Sequence, residues 1–201
     1  EQREQVKTLH EAGRHLLDLV NGLLDLSKIE AGRLDLAPRP VALRPLLDGC
    51  ATLLAPEIAR KALSFHLDLD PTLPEAAELD PTRLRQLLLN LLSNAVKFTP
   101  TGGRVDLRVH CVGEDRLRIE VQDTGPGVPA DKRHLLFEDF VQLTPQGIAD
   151  GQGTGLGLAI SARLVALMDG EIGCGEPPGG GALFWLEIPL HRTGLPDAET
   201  P

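Results

Sequence analysis

The sequence has no tyrosine, one tryptophan and one methionine, and aromatics make up only 3% of its 201 residues. Two phenylalanines standing close together in a polar stretch are therefore worth tracing. No segment approaches the roughly twenty uninterrupted apolar residues that a bilayer-spanning helix needs. Glu1-Gln2-Arg3-Glu4-Gln5 lacks the basic start and apolar stretch of a secretory signal. This segment is expected neither to contact a membrane nor to carry an export signal. Positive charge is also short: 20 Lys and Arg face 29 Asp and Glu, a net charge of −9. That balance opposes the phosphate neutralisation that drives most nucleic-acid binding, so DNA and RNA are not expected partners. The cysteines, Cys50, Cys111 and Cys174, are odd in number and far apart, with no histidine at metal-ligand spacing beside them. They read as buried thiols in a reducing compartment. What remains is 42% hydrophobic and 24% charged residues, over a length suited to one folded domain with or without an appendage.

From Val6 to about Ile29, apolar residues recur at Val6, Leu9, Leu16, Val20 and Leu23, with Leu17 and Leu24 alongside. This three-four alternation predicts a helical arm with one apolar stripe. Gly13 and Gly22 weaken it by roughly 0.5–1 kcal/mol each, so it needs a surface to pack on, either its own domain or a partner. Prolines at 38, 40 and 45 break the period between Ala37 and Pro45, which reads as a linker entering a short strand. Leu46 to Ala62 is helical in pattern, Leu63 to Leu69 alternates as a strand does, and a Pro-rich turn follows. Asp80-Pro81 opens a helix with an N-cap carboxylate and a proline at the first helical position, before an apolar run from Leu84 to Val96. Arg104 to Val112 and Arg116 to Gln122 alternate on either side of Gly113-Glu114-Asp115 and predict a β-hairpin. Thr124 to Gly153 reads as a long loop with a short helical stretch near Lys132 to Phe140, and Leu156 to Met168 as a helix. Ile172 and Ala182 to Leu190 supply the last strands around a Pro-Gly turn, and a frayed tail is expected after Leu190. There is no internal repeat.

Four clusters bear on chemistry. Asn90, Asn94 and Lys97 are four and three apart, which sets two amides and an ammonium on one helical face. Such a stripe is either solvated surface or a ligand contact. Asp123-Thr124-Gly125-Pro126-Gly127 ends an apolar strand. It is either a turn or a carboxylate placed to accept from an exocyclic amine, with backbone able to approach closely. Gly151-Gln152-Gly153-Thr154-Gly155-Leu156-Gly157 enters a helix, where backbone N–H groups and the helix N-terminus can receive an anion such as phosphate. No Gly-Lys-Ser/Thr follows, which excludes a Walker loop, and the strand-loop-helix order of a dinucleotide site is missing. Phe137-Glu138-Asp139-Phe140 places two aromatics in the long loop, where they also serve to pack it to the body.

The order Asn-x3-Asn-Ala-x-Lys-Phe-Thr, Asp-x-Gly-x-Gly, Phe-x-x-Phe, Gly-x-Gly-x-Gly-Leu-Gly-Leu closely resembles the catalytic ATP-binding domain of sensor histidine kinases. These belong to the wider group of gyrase, heat-shock chaperone, kinase and mismatch-repair ATPases. Leu24-Asp25-Leu26-Ser27-Lys28-Ile29-Glu30-Ala31-Gly32 is similar to the end of the second helix of their dimerisation and phosphotransfer bundle. The resemblance implies an α+β fold: a two-layer α/β sandwich, with a mixed sheet carrying helices on one face, plus the N-terminal helical arm. It divides the chain into a partial bundle helix at 1–36, an ATP-binding catalytic domain at 37–191 and a flexible tail at 192–201. Carried over by position, Asp123 would bind the adenine amino group, with Gly125 and Gly127 allowing close approach. Asn94 would coordinate Mg²⁺, with Asn90 and Lys97 near the phosphates. Gly153, Gly155 and Gly157 would cradle phosphate, with Thr154 and Leu156 beside them. Phe137 and Phe140 would belong to the lid over ATP.

Phosphoryl transfer needs positioning and charge neutralisation more than covalent chemistry. Related hydrolysing ATPases carry a glutamate four residues before the metal-binding asparagine. Asn90 stands there instead, and an amide cannot act as general base, so slow hydrolysis is expected. The resemblance places the phosphoacceptor histidine on a first bundle helix, ahead of everything present here. His10-Glu11 imitates the family's acceptor box, but Ala12-Gly13-Arg14 departs from it, and neither His10 nor His15 is expected to accept. His66, His110, His134 and His191 read as structural or surface residues. The implied partners are a response regulator or receiver domain, and a second subunit completing the bundle in a cytoplasmic homodimer, whether or not the parent is membrane-anchored. Two other readings remain open: a nucleotide-gated interaction module without phosphotransfer, and an anti-sigma-type serine kinase on the same fold.

Overall fold

A computed structural model describes residues 13, 16, 17, 20–143 and 154–194. The start of the expected arm, His10, His15, Gly151 to Gly153 and the tail from residue 195 lie outside the described residues. Residues 20–30 form helix α1, and residues 13, 16 and 17 are helical as well. Gly32 stops the helix with a φ of +62°, while the N–H groups of Gly32 and Arg33 donate to the carbonyls of Ile29 and Lys28 at 3.0 and 2.8 Å. This is the left-handed stop that a residue without Cβ makes without strain.

The body follows as β1 (Arg39–Ala42), α2 (Leu43–Arg60), β2 (Ser64–Leu69), β3 (Ala76–Leu79), α3 (Pro81–Phe98), β4 (Arg104–Val112) and β5 (Arg116–Asp123). A 3₁₀ helix (Ala130–Phe137), α4 (Gly157–Leu167), β6 (Glu171–Gly175), β7 (Leu183–Pro189) and β8 (His191–Thr193) complete it. The main sheet has the order β2-β4-β5-β7-β6, parallel between β2 and β4 and antiparallel elsewhere. Strand alternation turns Leu107, Val109, Ile119, Val121, Phe184 and Leu186 into the core and leaves Arg118, Glu120, Trp185 and Glu187 on the opposite face. On that face the Arg118 guanidinium bonds Glu120 at 2.8 Å and stacks 4.3 Å from the Trp185 ring centre. Helix α3 crosses β4 and β5, α4 crosses β6 and β7, and α2 packs beside α3. The expected mixed sheet with helices on one face is therefore present.

Helix α3 anchors the core. Leu84, Leu87, Leu88, Leu91 and Leu92 are fully buried along it, and each such side chain contributes about 1.5–3 kcal/mol relative to exposure. Its ends are set by side chains. Asp80 accepts from the Thr82 and Arg83 N–H groups at 2.9 and 3.0 Å, and also from Ala37 at 3.0 Å, which ties the chain after the arm to α3. At the other end the Lys61 ammonium donates to the carbonyls of Val96, Lys97 and Thr99, each at 2.7 Å. Nothing in the sequence marked Lys61 for this role.

Several boundaries differ from expectation. Helix α2 starts three residues before Leu46, because Pro45 falls in its first turn, where the missing N–H has no helical partner to lose. The Pro-rich turn ends in β3, and the expected tail begins with β8. Both pair in a second, antiparallel sheet of order β1-β3-β8. The expected helical stretch of the long loop is a 3₁₀ helix beginning two residues before Lys132. Of the cysteines, all free, only Cys50 is fully buried; Cys111 and Cys174 are half-buried near strand ends.

The described part of the arm packs on its own domain through one side. Leu26 joins the core cluster, Asp25 accepts from the Gln86 amide at 2.8 Å, and Gly22 lies against Leu156 and Ile160. Leu16, Leu17, Val20, Leu23 and Leu24, the predicted stripe, face away and are 44–63% exposed.

Candidate nucleotide site

Asp123 is the last residue of β5 and is 3% exposed. Its Oδ1 accepts from the N–H groups of Gly125 at 2.8 Å and Ala182 at 3.3 Å. Both bonds fall on one oxygen, and no side-chain polar atom is buried without a partner among the described residues. The second oxygen therefore keeps lone pairs for an incoming donor. Burial pushes the carboxyl above its ordinary range, against the pull of the two backbone bonds.

The surroundings are backbone. A Cβ on Gly125 would stand 2.9 Å from both Asp123 Oδ1 and the Phe98 carbonyl oxygen. Gly181, at a φ of +95°, is pressed so closely on the Asp123 carbonyl that a Cβ would overlap it. Gly127, at a φ of +70°, lies against the Gly181 carbonyl. The end of α3, the β5 exit and the β7 entry thus converge backbone on backbone beside a buried carboxylate, too closely for a side chain at any of these glycines. Gly181 and Ala182 were not singled out from sequence, since a Pro-Gly turn reads as a connection and nothing more.

Asn90, Asn94 and Lys97 occupy one half-buried face of α3, as their spacing requires. The Asn90 Nδ2–H donates to the Ser161 hydroxyl on α4 at 2.8 Å. The Lys97 ammonium lies 5.2 Å from the Phe98 ring centre. Among the described residues helix α4 has no side-chain cap and no acidic residue in its first turn, an N-terminus of the kind that can receive an anion. Gly155 reaches it at a φ of +70°, its α-carbon face against the Phe140 backbone, and the Thr154 hydroxyl accepts from the Leu156 N–H at 3.2 Å.

Leu156, Phe137 and Phe140 differ in what they contact. The Leu156 side chain is 1% exposed and belongs to the core, because the turn into α4 points it inward beside Gly22. Phe137 is half-buried, next to the α4 face formed by Ala159, Ala162 and Ala166. Phe140 has a 60% exposed ring, and it is its backbone, at a φ of +61°, that meets Gly155. Between them Asp139 makes two 2.7 Å bonds to Arg163, a fastening that sequence did not signal because the partners are 24 residues apart.

No group of three or more His, Cys, Asp or Glu is arranged to hold a metal ion among the described residues. The half-buried Asn94 amide offers an oxygen donor on the polar face of α3. A hard cation such as Mg²⁺, which retains waters and takes phosphate oxygens, needs only one or two protein oxygens, so these residues fit an ion that arrives with a phosphate ligand.

Residues 79–192 match the family described as histidine kinase-, DNA gyrase B-, and HSP90-like ATPase. The chain is 40% identical over 191 residues to the sensor histidine kinase RcsC of Escherichia coli, covering 95% of this chain and 20% of that protein. It is 43% identical over 189 residues to the circadian input-output histidine kinase CikA of Synechococcus elongatus, covering 94% and 25%. Among solved structures, full-length ShkA in complex with AMPPNP superposes with a TM-score of 0.83 at 41% identity, covering 96% of this chain and 40% of that one. The chain thus spans between a fifth and a quarter of the length of these curated relatives. A mixed sheet under α3 and α4, a buried carboxylate at the end of its central strand and a match over most of the body agree: the chain belongs to the histidine kinase-, DNA gyrase B- and HSP90-like ATPase family.

Proposed function

We propose that this chain is the ATP-binding catalytic region of a two-component sensor histidine kinase. It binds Mg-ATP and passes the γ-phosphate to a histidine on a bundle helix, for onward transfer to a response-regulator aspartate. The observation that carries the reading is Asp123, a buried carboxylate with one oxygen committed to backbone donors, packed directly against glycine backbone. The names of the relatives and the AMPPNP complex of ShkA support it. Residues 1–36 serve as a partial bundle helix and 37–191 as the catalytic domain, with β8 extending the domain's pairing to Thr193 before the tail, in a cytoplasmic segment that dimerises through the bundle.

Ionised Asp123 accepts from the adenine amine, while Gly125 and Gly127 let the base approach. The amides around Gly153, Thr154, Gly155 and Gly157 receive phosphate oxygens at the α4 N-terminus, and Lys97 adds positive charge. Asn94 offers its amide oxygen to Mg²⁺, which when bound neutralises phosphate charge. Asn90 cannot take a proton from water, so the γ-phosphate is kept for transfer.

The test is incubation with Mg²⁺ and γ-labelled ATP, with and without a histidine-bearing first bundle helix from a relative. Acid-labile label on that helix, with little phosphate released, is the expected result. Acid-stable label would make this a serine kinase, retained ATP without label a nucleotide-gated module, and rapid phosphate release an ATPase.

A further inference from the structure

Ser161 stands in the second turn of α4 and is 2% exposed. Its hydroxyl accepts the Asn90 Nδ2–H at 2.8 Å, and the other end of the same amide, Oδ1, occupies the space that a Cβ on Gly157 would fill. The Asn90 side chain is therefore held by α4 at both ends, through Ser161 on one side and the bare backbone of Gly157 on the other. One turn further along α3 stands Asn94, and Gly157 opens the first turn of α4.

The two ends of the site are built differently. Around Asp123 the groups sit on β5 and the β7 entry, joined by backbone hydrogen bonds of the sheet. The polar face of α3 and the N-terminus of α4 sit on two helices that otherwise meet through apolar packing, which is non-directional and allows sliding. A hydrogen bond has a defined length and angle, so the Asn90–Ser161 bond sets the register of one helix against the other.

We propose that Ser161 is a positioning residue: by holding Asn90 it sets the spacing between Asn94 and the first-turn amides of α4, and so the grip on a nucleotide's terminal phosphates but not on its base. This rests on the reading of the region as an Mg-ATP site. The hydroxyl touches no ligand; it acts through Asn90.

The test is a double-mutant cycle in the whole chain: Ser161→Ala, Asn90→Ala and the two combined. Each is titrated with Mg-AMPPNP by calorimetry and with adenosine by chemical-shift changes. Loss of one neutral hydrogen bond weakens Mg-AMPPNP binding by about three- to tenfold in either single variant. Adenosine binding stays within about twofold, and the double variant is no worse than the Asn90 variant, because the two residues act as a unit. Additive losses, equal weakening of both ligands, or an unchanged Ser161→Ala variant would each overturn the proposal. General loosening of the fold moves both titrations together, so the split between them separates positioning from stability. Failure of the unaltered chain to bind Mg-AMPPNP would instead overturn the reading of the site itself.

Discussion

Asp139 and Arg163 meet oxygen to nitrogen twice, with Nη1 on Oδ1 and Nη2 on Oδ2, both at 2.7 Å, and so fasten the segment after the 3₁₀ helix to α4. Side-chain bonding to Arg163 holds the Asp139 carboxyl below the usual range. Its stabilisation is therefore complete above the ordinary aspartate pKa and is lost as pH falls through the lowered value. Because both side chains are about a third exposed, Arg163→Ala is expected to cost about 0.2–1 kcal/mol of global stability. Its clear effect is local: amide exchange over residues 130–143 should quicken. Arg163→Lys should not restore protection, since an ammonium cannot make the two-point bond.

Asp123→Asn replaces a charged acceptor with an amide that presents a donor to the adenine amine. Loss of a charge-assisted bond, about 1.5–3 kcal/mol, predicts ATP affinity reduced about ten- to a hundredfold, with the thermal midpoint at neutral pH no lower than that of the wild type. The pH dependence has a definite sign. The raised pKa means that the folded, unliganded chain holds this proton more tightly than the unfolded chain. Its stability should thus decline as pH rises from the ordinary aspartate pKa through the raised one. Nucleotide binding needs the ionised form, so affinity falls on acidification at a higher pH than an ordinary aspartate would give. Calorimetry across the acid range in wild type and Asp123→Asn checks both.

Gly181→Ala puts a Cβ onto the Asp123 carbonyl at a φ of +95° and should cost about 1–3 kcal/mol in denaturant unfolding, together with nucleotide binding. Gly175→Ala is the control. It has nothing within 4 Å and no left-handed φ, so stability should stay within about 0.5 kcal/mol.

Asp80→Ala removes the α3 cap and the tie to Ala37 and should cost about 1–2 kcal/mol by thermal unfolding. Burial pushes the Asp80 carboxyl up, but bonds from the Ala37, Arg83 and Thr82 N–H groups and the Arg83 charge together pull it below the ordinary value. The stabilisation is present above the ordinary aspartate pKa and is lost as pH falls through the lowered one. The wild-type and variant stability curves should therefore converge in acid.

The parts of the fold legible in sequence were those whose signals are local. Asp80-Pro81 marks a cap and a first turn within two residues, and Arg104 to Val112 followed by Arg116 to Gln122 shows its alternation without reference to the rest of the chain. The short strands β3 and β8 carry too few residues for a period to register, and their pairing spans more than a hundred positions. Leu156 looked like part of a glycine loop, yet its neighbours in space are Gly22 and the core. Arm residues were legible as a stripe, but which face would dock was not. The pattern shows that an apolar face exists, while Asp25, on the less apolar side, meets Gln86 and Arg83.

By itself the sequence determined the residue types of the site, their order and the helical or strand face on which each sits, because side-chain periodicity follows from backbone geometry alone. It also determined that residue 90 offers an amide and no base. The tertiary structure decided which of those groups meet. Gly181 closes on Asp123 across 58 positions, Asn90 is held by Ser161 71 positions away, and Arg163 fastens Asp139. Such contacts depend on how α3 and α4 settle on one sheet, a question of packed volume and hydrogen-bond direction between distant segments that no local pattern encodes.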